Sequence, residues 1–239
     1  MNTSIFVLIP GACHSALCWQ RIVPLLEQHG HHVVTPDLLG IGEDHTPLSQ
    51  IKLSSWVDQI VDIVEHQSKP VVLLGHSSGG LTISEVAERV PMKIKLLVYL
   101  SGFLIPSGEN LLQNYIEPED GSFLVHNPDS TTNFAPEKII SSLYNTTSPE
   151  WAERVPGILS PIPSNIFTTP LKLTDDHFGT VPRAFIECTQ DNAISLANQR
   201  ALHGRLPCKY VITLVTDHSP FFSAPEELAA ALLDLATRQ

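Results

Sequence analysis

Short uninterrupted runs of apolar residues recur along the chain and alternate with stretches in which apolar residues return at helical spacing. An apolar run bounded by glycine or proline is typical of a strand buried on both faces, whereas the helical spacing is typical of a helix with one buried face. The alternation therefore predicts an α/β fold with a mostly parallel sheet of about six strands and helices on both faces. We expect the strands at about residues 5–9, 33–35, 71–74, 96–100, 184–188 and 210–215.

The alternation stops between residues 106 and 180, where proline, serine, threonine and asparagine are frequent and aromatic residues are isolated. A loop of this length without secondary structure is unusual inside a compact domain, so we expect short helices. Because the segment is inserted between two predicted strands, it is expected to form a helical cap over the carboxyl ends of the strands, where open α/β sheets bind ligands. Residues 1–239 are interpreted as one domain that contains this insertion.

The composition favours a single soluble domain. The chain has 239 residues, 43% of them hydrophobic, and this length is sufficient for one sizeable core. Its formal net charge is −11 and its 14 lysines and arginines are scattered, so nucleic acid and anionic membranes are not expected as partners. The N-terminal stretch lacks the pattern of a signal peptide and no apolar segment has spanning length, which together predict a cytoplasmic protein.

The cysteines and histidines do not indicate a disulfide framework or a metal site. No C-x-x-C pair is present, and we expect free, mostly buried thiols at Cys13, Cys18, Cys188 and Cys208. Cys13 has histidines near it in sequence but no neighbour that would lower its pKa, so it is not interpreted as a nucleophile. A histidine cluster at positions 29, 31 and 32 lacks partners at the usual ligand spacing, and no metal is expected there.

A glycine-rich turn follows the third predicted strand, in the sequence VVLLGHSSGG of residues 71–80. Residues 75–79 fit the pattern G-x-S-x-G, in which small residues let a strained strand-to-helix turn expose the central hydroxyl. Ser77 is therefore the candidate nucleophile. The turn could instead hold a phosphate at a helix N-terminus or be a plain turn, although the lysine of a phosphate loop and the G-x-G-x-x-G fingerprint are both absent.

A serine nucleophile needs a histidine base and an acid that orients the histidine, and in folds of this kind the chain order is serine, acid, histidine. Asp191 follows the predicted strand at residues 184–188, and His218 follows the last predicted strand. Together with Ser77 they have the required order and strand placement. Asp217 is a competing acid, but its side chain is poorly placed to reach the imidazole of its own neighbour.

Catalysis through a serine also needs two backbone N–H groups aimed at the developing negative charge. The first is expected from Ser78, directly after the candidate nucleophile, and the second from Ala12 in the loop after the first strand. Gly11 would let this loop approach the substrate closely, and His14 is expected to order the loop by hydrogen bonding. Gly11, His14 and Phe103 are the residues expected to contact the substrate.

Several segments resemble one family of α/β-hydrolases, which contains plant methyl-ester esterases, hydroxynitrile lyases and many bacterial esterases. The segments are GACHSALCW, HHVVTPDLLGIG, LLGHSSGGL, LVYLSGF, PLKLTDDHFGTVPRAFIECTQDNAIS and DHSPFFSAPEEL. The resemblance extends nearly end to end, and it implies an α/β-hydrolase fold with a helical cap and the triad of Ser77, Asp191 and His218. It also implies a carboxylic ester hydrolase without a cofactor, acting on a small-molecule ester, and often a homodimer. Pro10 departs from the family pattern, since many relatives have histidine there.

Other activities remain open within this resemblance. A hydroxynitrile lyase could use the same triad, a thioesterase or polyketide-tailoring hydrolase would differ only in the acyl group, and some relatives of the fold are ligand receptors. In lyase branches of the family, cyanide is stabilised by a lysine directly after the catalytic histidine or by an asparagine in the loop after the first strand. The equivalent residues here are Ser219 and Gly11, so an esterase that acts on small or aryl esters is the preferred interpretation.

Overall fold

The computed structural model describes residues 3–118 and 121–238 of the chain. Its strands are β1 (Ile5–Ile9), β2 (His32–Val34), β3 (Val71–His76), β4 (Ile94–Leu100), β5 (Leu124–His126), β6 (Thr131–Phe134), β7 (Ile162–Pro163), β8 (Arg183–Cys188) and β9 (Tyr210–Leu214). Its α-helices are α1 (Ile22–Glu27), α2 (Leu53–Glu65), α3 (Gly79–Arg89), α4 (Leu111–Asn114), α5 (Ile139–Leu143), α6 (Pro149–Ala152), α7 (Asn165–Thr168), α8 (Leu196–Arg205), α9 (Pro220–Ser223) and α10 (Pro225–Thr237).

The central sheet contains six parallel strands in the spatial order β2, β1, β3, β4, β8 and β9. Every residue of β1 and β3 is buried, so both faces of the sheet are covered in its middle. This double coverage explains why these strands are uninterrupted apolar runs in the sequence. At the edge, β9 alternates between more and less exposed residues. The predicted α/β architecture and its six strands are confirmed, with boundaries that differ by one or two residues at most strands.

The parallel arrangement decides where the functional side chains lie. Parallel strands all end at the same edge of a sheet, and ligands of open α/β sheets bind beyond that edge. The loops that follow β1, β3, β4, β8 and β9 therefore meet there. Helices pack in pairs around this frame, α2 against α3 and α1 against α10.

The cap segment, residues 106–180, contains more than the short helices that its sequence predicts. It contains α4 to α7, and it also contains a three-stranded antiparallel sheet in the order β5, β6 and β7. In this sheet Leu124 pairs with Phe134, and Thr132 pairs with Ile162. The short helices are present as expected, and the sheet is an additional feature that the sequence did not predict, because strands of two to four residues are too short to show an alternating pattern.

A buried carboxylate links the cap segment to the loop after β9. Asp217 accepts hydrogen bonds from the Thr146 backbone N–H at 2.9 Å and from the Thr147 hydroxyl at 3.0 Å. It also accepts hydrogen bonds from the backbone N–H of Ser219 at 3.0 Å and the hydroxyl of Ser223 at 2.7 Å. A buried charge is costly unless it is fully paired, so losing the donors of either segment would be unfavourable. Asp217 therefore holds the cap segment and the loop after β9 together.

Further hydrogen bonds attach the cap segment to two other loops at the same edge of the sheet. The side-chain amide of Asn145 donates to the carbonyl of Gln190 at 3.0 Å, in the loop after β8. The backbone N–H of Ser160 donates to the carbonyl of Cys13 at 2.8 Å, in the loop after β1. The cap segment is thus hydrogen-bonded to three of the loops that follow the central strands.

The expectation for the cysteines can be compared with the structure. The cysteines are free thiols, and Cys13, Cys18 and Cys188 are buried while Cys208 is half-buried, as predicted. Over residues 3–118 and 121–238, no helix is long and apolar enough to cross a membrane. The same ranges contain no group of three histidines, cysteines or acids arranged to hold a metal ion.

Replacing Asp217 with asparagine tests the link between the cap segment and the loop after β9. The amide keeps the size of the side chain but directs an NH₂ group at donors that need an acceptor, so we expect a loss of about 1–3 kcal/mol in the free energy of unfolding. Urea unfolding at neutral pH measures it. Asp62→Asn is the control, because that side chain is 73% exposed, and it is expected to change the value by less than about 0.5 kcal/mol. Equal losses of unfolding free energy in the two variants would contradict the role of Asp217 in joining the cap segment to the loop after β9.

Candidate active site

The turn after β3 holds Ser77 in a strained conformation. Its φ angle is +51°, in the left-handed region that residues with a side chain rarely adopt. The backbone is held there from the neighbouring strand, because the N–H of Ser77 donates to the carbonyl of Leu100 at 3.1 Å and its carbonyl accepts from Phe103 N–H at 3.0 Å. Backbone strain of this kind persists only where the surroundings determine it, and it is concentrated at functional sites. The side chain of Ser77 is left at the start of α3 and lines a cavity.

Two glycines allow the loop after β1 to pack directly on this turn. A Cβ atom on Gly79 would lie 2.7 Å from the carbonyl oxygen of Pro10. A Cβ atom on Gly11 would lie 2.8 Å from Nδ1 of His76 and 2.9 Å from Cβ of Ser77. These distances are shorter than van der Waals contact allows, so neither position accepts a side chain without movement.

Gly11 packs directly against the turn that carries Ser77. Of the described residues, those that line the cavity include Ala12 and His14 but not Gly11. Contact between Gly11 and a substrate stays a prediction. An asparagine at this position, as in the lyases named above, would have no room.

The structure brings Asp191 and His218 together. His218 Nδ1 lies 2.7 Å from Oδ2 of Asp191, and both residues are buried. The other carboxylate oxygen accepts backbone N–H hydrogen bonds from Ala193 at 2.8 Å and from Ile194 at 2.7 Å. With Nδ1–H donating to the carboxylate, Nε2 of His218 is free to accept a proton. His218 and Ser77 line the same cavity.

Two further donors to Asp191 were not found from the sequence. The hydroxyl of Ser101, directly after β4, donates to Oδ2 of Asp191, and the side-chain amide of Gln199 on α8 donates to the same oxygen at 3.3 Å. Ser101 has a φ angle of +40°, so its backbone is also in the left-handed region. Its place at the carboxyl end of a central strand was the one signal in the sequence that could have identified it.

The backbone N–H groups of Ala12 and Ser78 have no acceptor among the described residues. Both residues line the cavity beside Ser77. Ser78 is the N-cap residue of α3, where the helix dipole adds positive potential. An oxygen that becomes negatively charged beside Ser77 could be stabilised by these two donors, and their role as an oxyanion hole stays a prediction.

His14 joins the loop after β1 to the cap segment. Its Nδ1 lies 2.7 Å from the carbonyl oxygen of Ala12, and its Nε2 is hydrogen-bonded to the hydroxyl of Tyr144. Burial lowers the pKa of His14 to about 4, and nearby His218 contributes in the same direction. The ring is therefore neutral at pH 7, with Nδ1–H donating to Ala12 and Nε2 accepting from Tyr144.

A second buried histidine supports the loop that carries His218. Nε2 of His76 lies 2.8 Å from the backbone carbonyl oxygen of His218, to which it donates. Burial holds the pKa of His76 well below its usual range, and the nearby rings of His218 and His14 act in the same direction. His76 thus positions the backbone of His218 without carrying a charge of its own.

Cys13 is the remaining nucleophilic side chain beside this site. Its thiol is buried and lies 3.6 Å from the carbonyl oxygen of Thr132, in the cap segment. Burial raises the pKa of the Cys13 thiol well above its usual range. The thiolate is the reactive form of cysteine, so Cys13 is an inert packing residue, as its sequence context indicated.

The cavity over Ser77 has a mostly apolar lining. The cap segment supplies most of the apolar wall through Leu111, Tyr115, Phe123, Leu124, Phe134, Leu143 and Phe167. Phe103, which the sequence analysis placed near the ligand, is also in this lining. No aspartate, glutamate, lysine or arginine is among the described residues that line it. Such a cavity is suited to an uncharged, apolar ligand.

Comparisons with known proteins show which family this chain resembles. The profile of the Alpha/beta hydrolase family matches residues 6–231. Methylesterase 1 of Arabidopsis thaliana is 32% identical over alignments that cover 98% of this chain and 96% of that protein. Salicylic acid-binding protein 2 of Nicotiana tabacum is 31% identical, and the alignment covers 97% of this chain and 96% of that protein. Among solved structures, the pyrethroid hydrolase PytH superposes with a TM-score of 0.84 at 26% identity, and 98% of each chain is covered.

The depressed pKa of His14 predicts a loss of stability in acid. The pKa is about 4 in the folded protein and 6.5 for an ordinary histidine, so between these values the unfolded chain binds more protons than the folded one. Stability is therefore complete above pH 6.5 and falls as the pH approaches 4, by about 3 kcal/mol for His14 alone. Urea unfolding measured across this range gives the slope.

His14→Gln should lose less stability over this pH range than the wild type, because glutamine does not titrate. His45→Gln is the control, since His45 is exposed. A pH dependence that is identical in all three proteins would show that His14 is not the group that takes up protons on unfolding.

Proposed function

The chain belongs to the alpha/beta hydrolase family, and on that premise we propose that it cleaves carboxylic esters through an acyl-enzyme intermediate on Ser77. Its relatives named methylesterases, at up to 34% identity, identify it as a serine esterase. One observation carries the assignment of residues. The buried Asp191–His218 hydrogen bond of 2.7 Å lies at the same cavity as the left-handed turn that presents Ser77.

The reaction follows from the chemistry of these groups. The hydroxyl of Ser77 attacks the ester carbonyl carbon while Nε2 of His218 takes its proton, and the backbone N–H groups of Ala12 and Ser78 stabilise the negative oxygen. His218 then gives the proton to the leaving alcohol. A water molecule, activated by the same imidazole, releases the acid from the serine. Asp191 holds the imidazole in the tautomer that both steps require.

The lining of the cavity supports neutral apolar or aryl esters as substrates. An ester carries no charge and can enter a cavity whose lining is mostly apolar and, among the described residues, holds no carboxylate, lysine or arginine. The acid that forms is ionised at neutral pH, and no lysine or arginine among the described lining residues pairs with it. An unpaired carboxylate is unfavourable in such surroundings, so the product leaves the site. The cytoplasmic location and the homodimer stay predictions.

Ser77→Ala is expected to lower kcat for ester hydrolysis by roughly four to six orders of magnitude, because the members of a triad act as a unit. The measurement is p-nitrophenyl acetate hydrolysis, with circular dichroism to verify folding. Ser78→Ala is the matched comparison, since it keeps the backbone N–H and should lose far less activity. A phosphonate ester should label Ser77 and not Ser78. Near-normal hydrolysis by Ser77→Ala would exclude Ser77 as the nucleophile.

Ester hydrolysis should be much faster than cyanohydrin cleavage. Ser219 follows the catalytic histidine where a lyase has lysine, and Gly11 has no space for an asparagine side chain. Loss of one such donor costs on the order of 3 kcal/mol, or about a hundredfold in rate. Initial rates on an aryl acetate and on mandelonitrile decide the question. Cyanide release faster than ester hydrolysis would favour the lyase.

A further inference from the structure

One aromatic side chain of the cap segment separates the catalytic cavity from a second cavity. Phe134 lines both of them. We propose that Phe134 determines the substrate specificity of the esterase by limiting the length of the apolar chain that its substrate can carry. The inference rests on the proposed function, because it concerns the substrate of that same site.

The second cavity is an open groove with a mostly apolar lining, since Ile140 in its wall is 44% exposed. Its walls come mainly from the cap segment, through Ile139, Ile140, Pro156, Leu159 and Pro161. None of the described residues around it carries a charge. An alkyl chain is the chemical group that such walls favour, since each buried methylene gains free energy on leaving water.

The ring of Phe134 is held in place as a wall between the two cavities. Phe134 is the last residue of β6, and its backbone pairs with Leu124 of β5. Its ring centroid lies 5.9 Å from that of His14 and 5.6 Å from that of Phe123. The side chain is 6% exposed. A ring with its backbone in a sheet and aromatic neighbours beside it has little freedom to turn away.

The consequence for the substrate is a limit on length. A short acyl or alcohol group fits on the catalytic side, whereas a longer linear chain meets the ring of Phe134 and would have to displace it. Removing the ring joins the two cavities, and the chain can then continue between Ile139 and Leu159. Each added methylene that is buried there can improve kcat/KM about fourfold, the equivalent of about 0.8 kcal/mol.

The test compares chain-length profiles and not absolute rates. The substrates are p-nitrophenyl esters from acetate to dodecanoate, which vary the acyl chain, and alkyl benzoates from methyl to decyl, which vary the alcohol. We expect kcat/KM of the wild-type protein to fall beyond a short chain in at least one series. Phe134→Ala should raise the ratio of long-chain to short-chain kcat/KM in that series by at least about tenfold. The series that responds identifies which end of the ester points at Phe134.

Phe167→Ala is the control for volume alone. Phe167 lines the catalytic cavity but is not among the described residues of the second one. The Phe167→Ala substitution removes the same atoms as Phe134→Ala without joining the cavities. The ratio of long-chain to short-chain kcat/KM should therefore stay near that of the wild type. In the Phe134→Ala protein, Ile140→Trp should reverse the gain by filling the second cavity, because Ile140 is 44% exposed and tolerates a larger side chain.

A binding measurement separates the failure of this inference from failure of the proposed function. Calorimetric titration with 2-alkanones of increasing length needs no turnover, and the long ketones should bind Phe134→Ala at least about tenfold more tightly than the wild type. Phe134→Leu serves if the alanine variant does not fold. Absence of hydrolysis by the wild type would overturn the esterase proposal alone. The role of Phe134 would be overturned if Phe134→Ala hydrolysed esters and bound ketones with the same dependence on chain length as the wild type. Equal gains for long chains in Phe167→Ala would overturn it as well.

Discussion

The pairing of one buried carboxylate organises the catalytic edge of this protein. A carboxylate removed from water is stable only when its oxygens accept enough hydrogen bonds, and Asp191 accepts them from segments that are far apart in the chain. Ser101 donates from the end of β4, Gln199 from α8, and His218 from the loop after β9. Correct pairing therefore requires that three strands end at the same level, and the parallel sheet satisfies this requirement.

A second buried carboxylate, that of Asp217, is adjacent to His218 and has a different task. Asp217 accepts hydrogen bonds from Thr146 and Thr147 in the cap segment as well as from its own loop. His218 lines the cavity while the Asp217 carboxylate accepts hydrogen bonds from the cap segment. The positions of the imidazole and of the cap segment are thereby set by the same short loop.

The parts that could be predicted from the sequence are those with local signals. Ser77, Asp191 and His218 each follow a strand that is recognisable in the sequence, so their order and spacing were sufficient to group them. The small sheet of β5, β6 and β7 has no such signal, because its strands are only two to four residues long. The bond between His14 and Tyr144 joins residues 130 positions apart. Contacts of this kind depend on how the cap segment packs, and no periodicity in the sequence encodes it.

The hydrogen bonds between the cap segment and three catalytic loops have a consequence for the time course of a reaction cycle. A cap that swings open as a rigid body would have to break the contacts of Asp217, Asn145 and Ser160 together, and such collective motions take microseconds to milliseconds. Rotation of individual side chains takes picoseconds to nanoseconds. Ligand exchange through side-chain rotation leaves the loops in register throughout the cycle, so the site is ready for the next ester as soon as the acid has left.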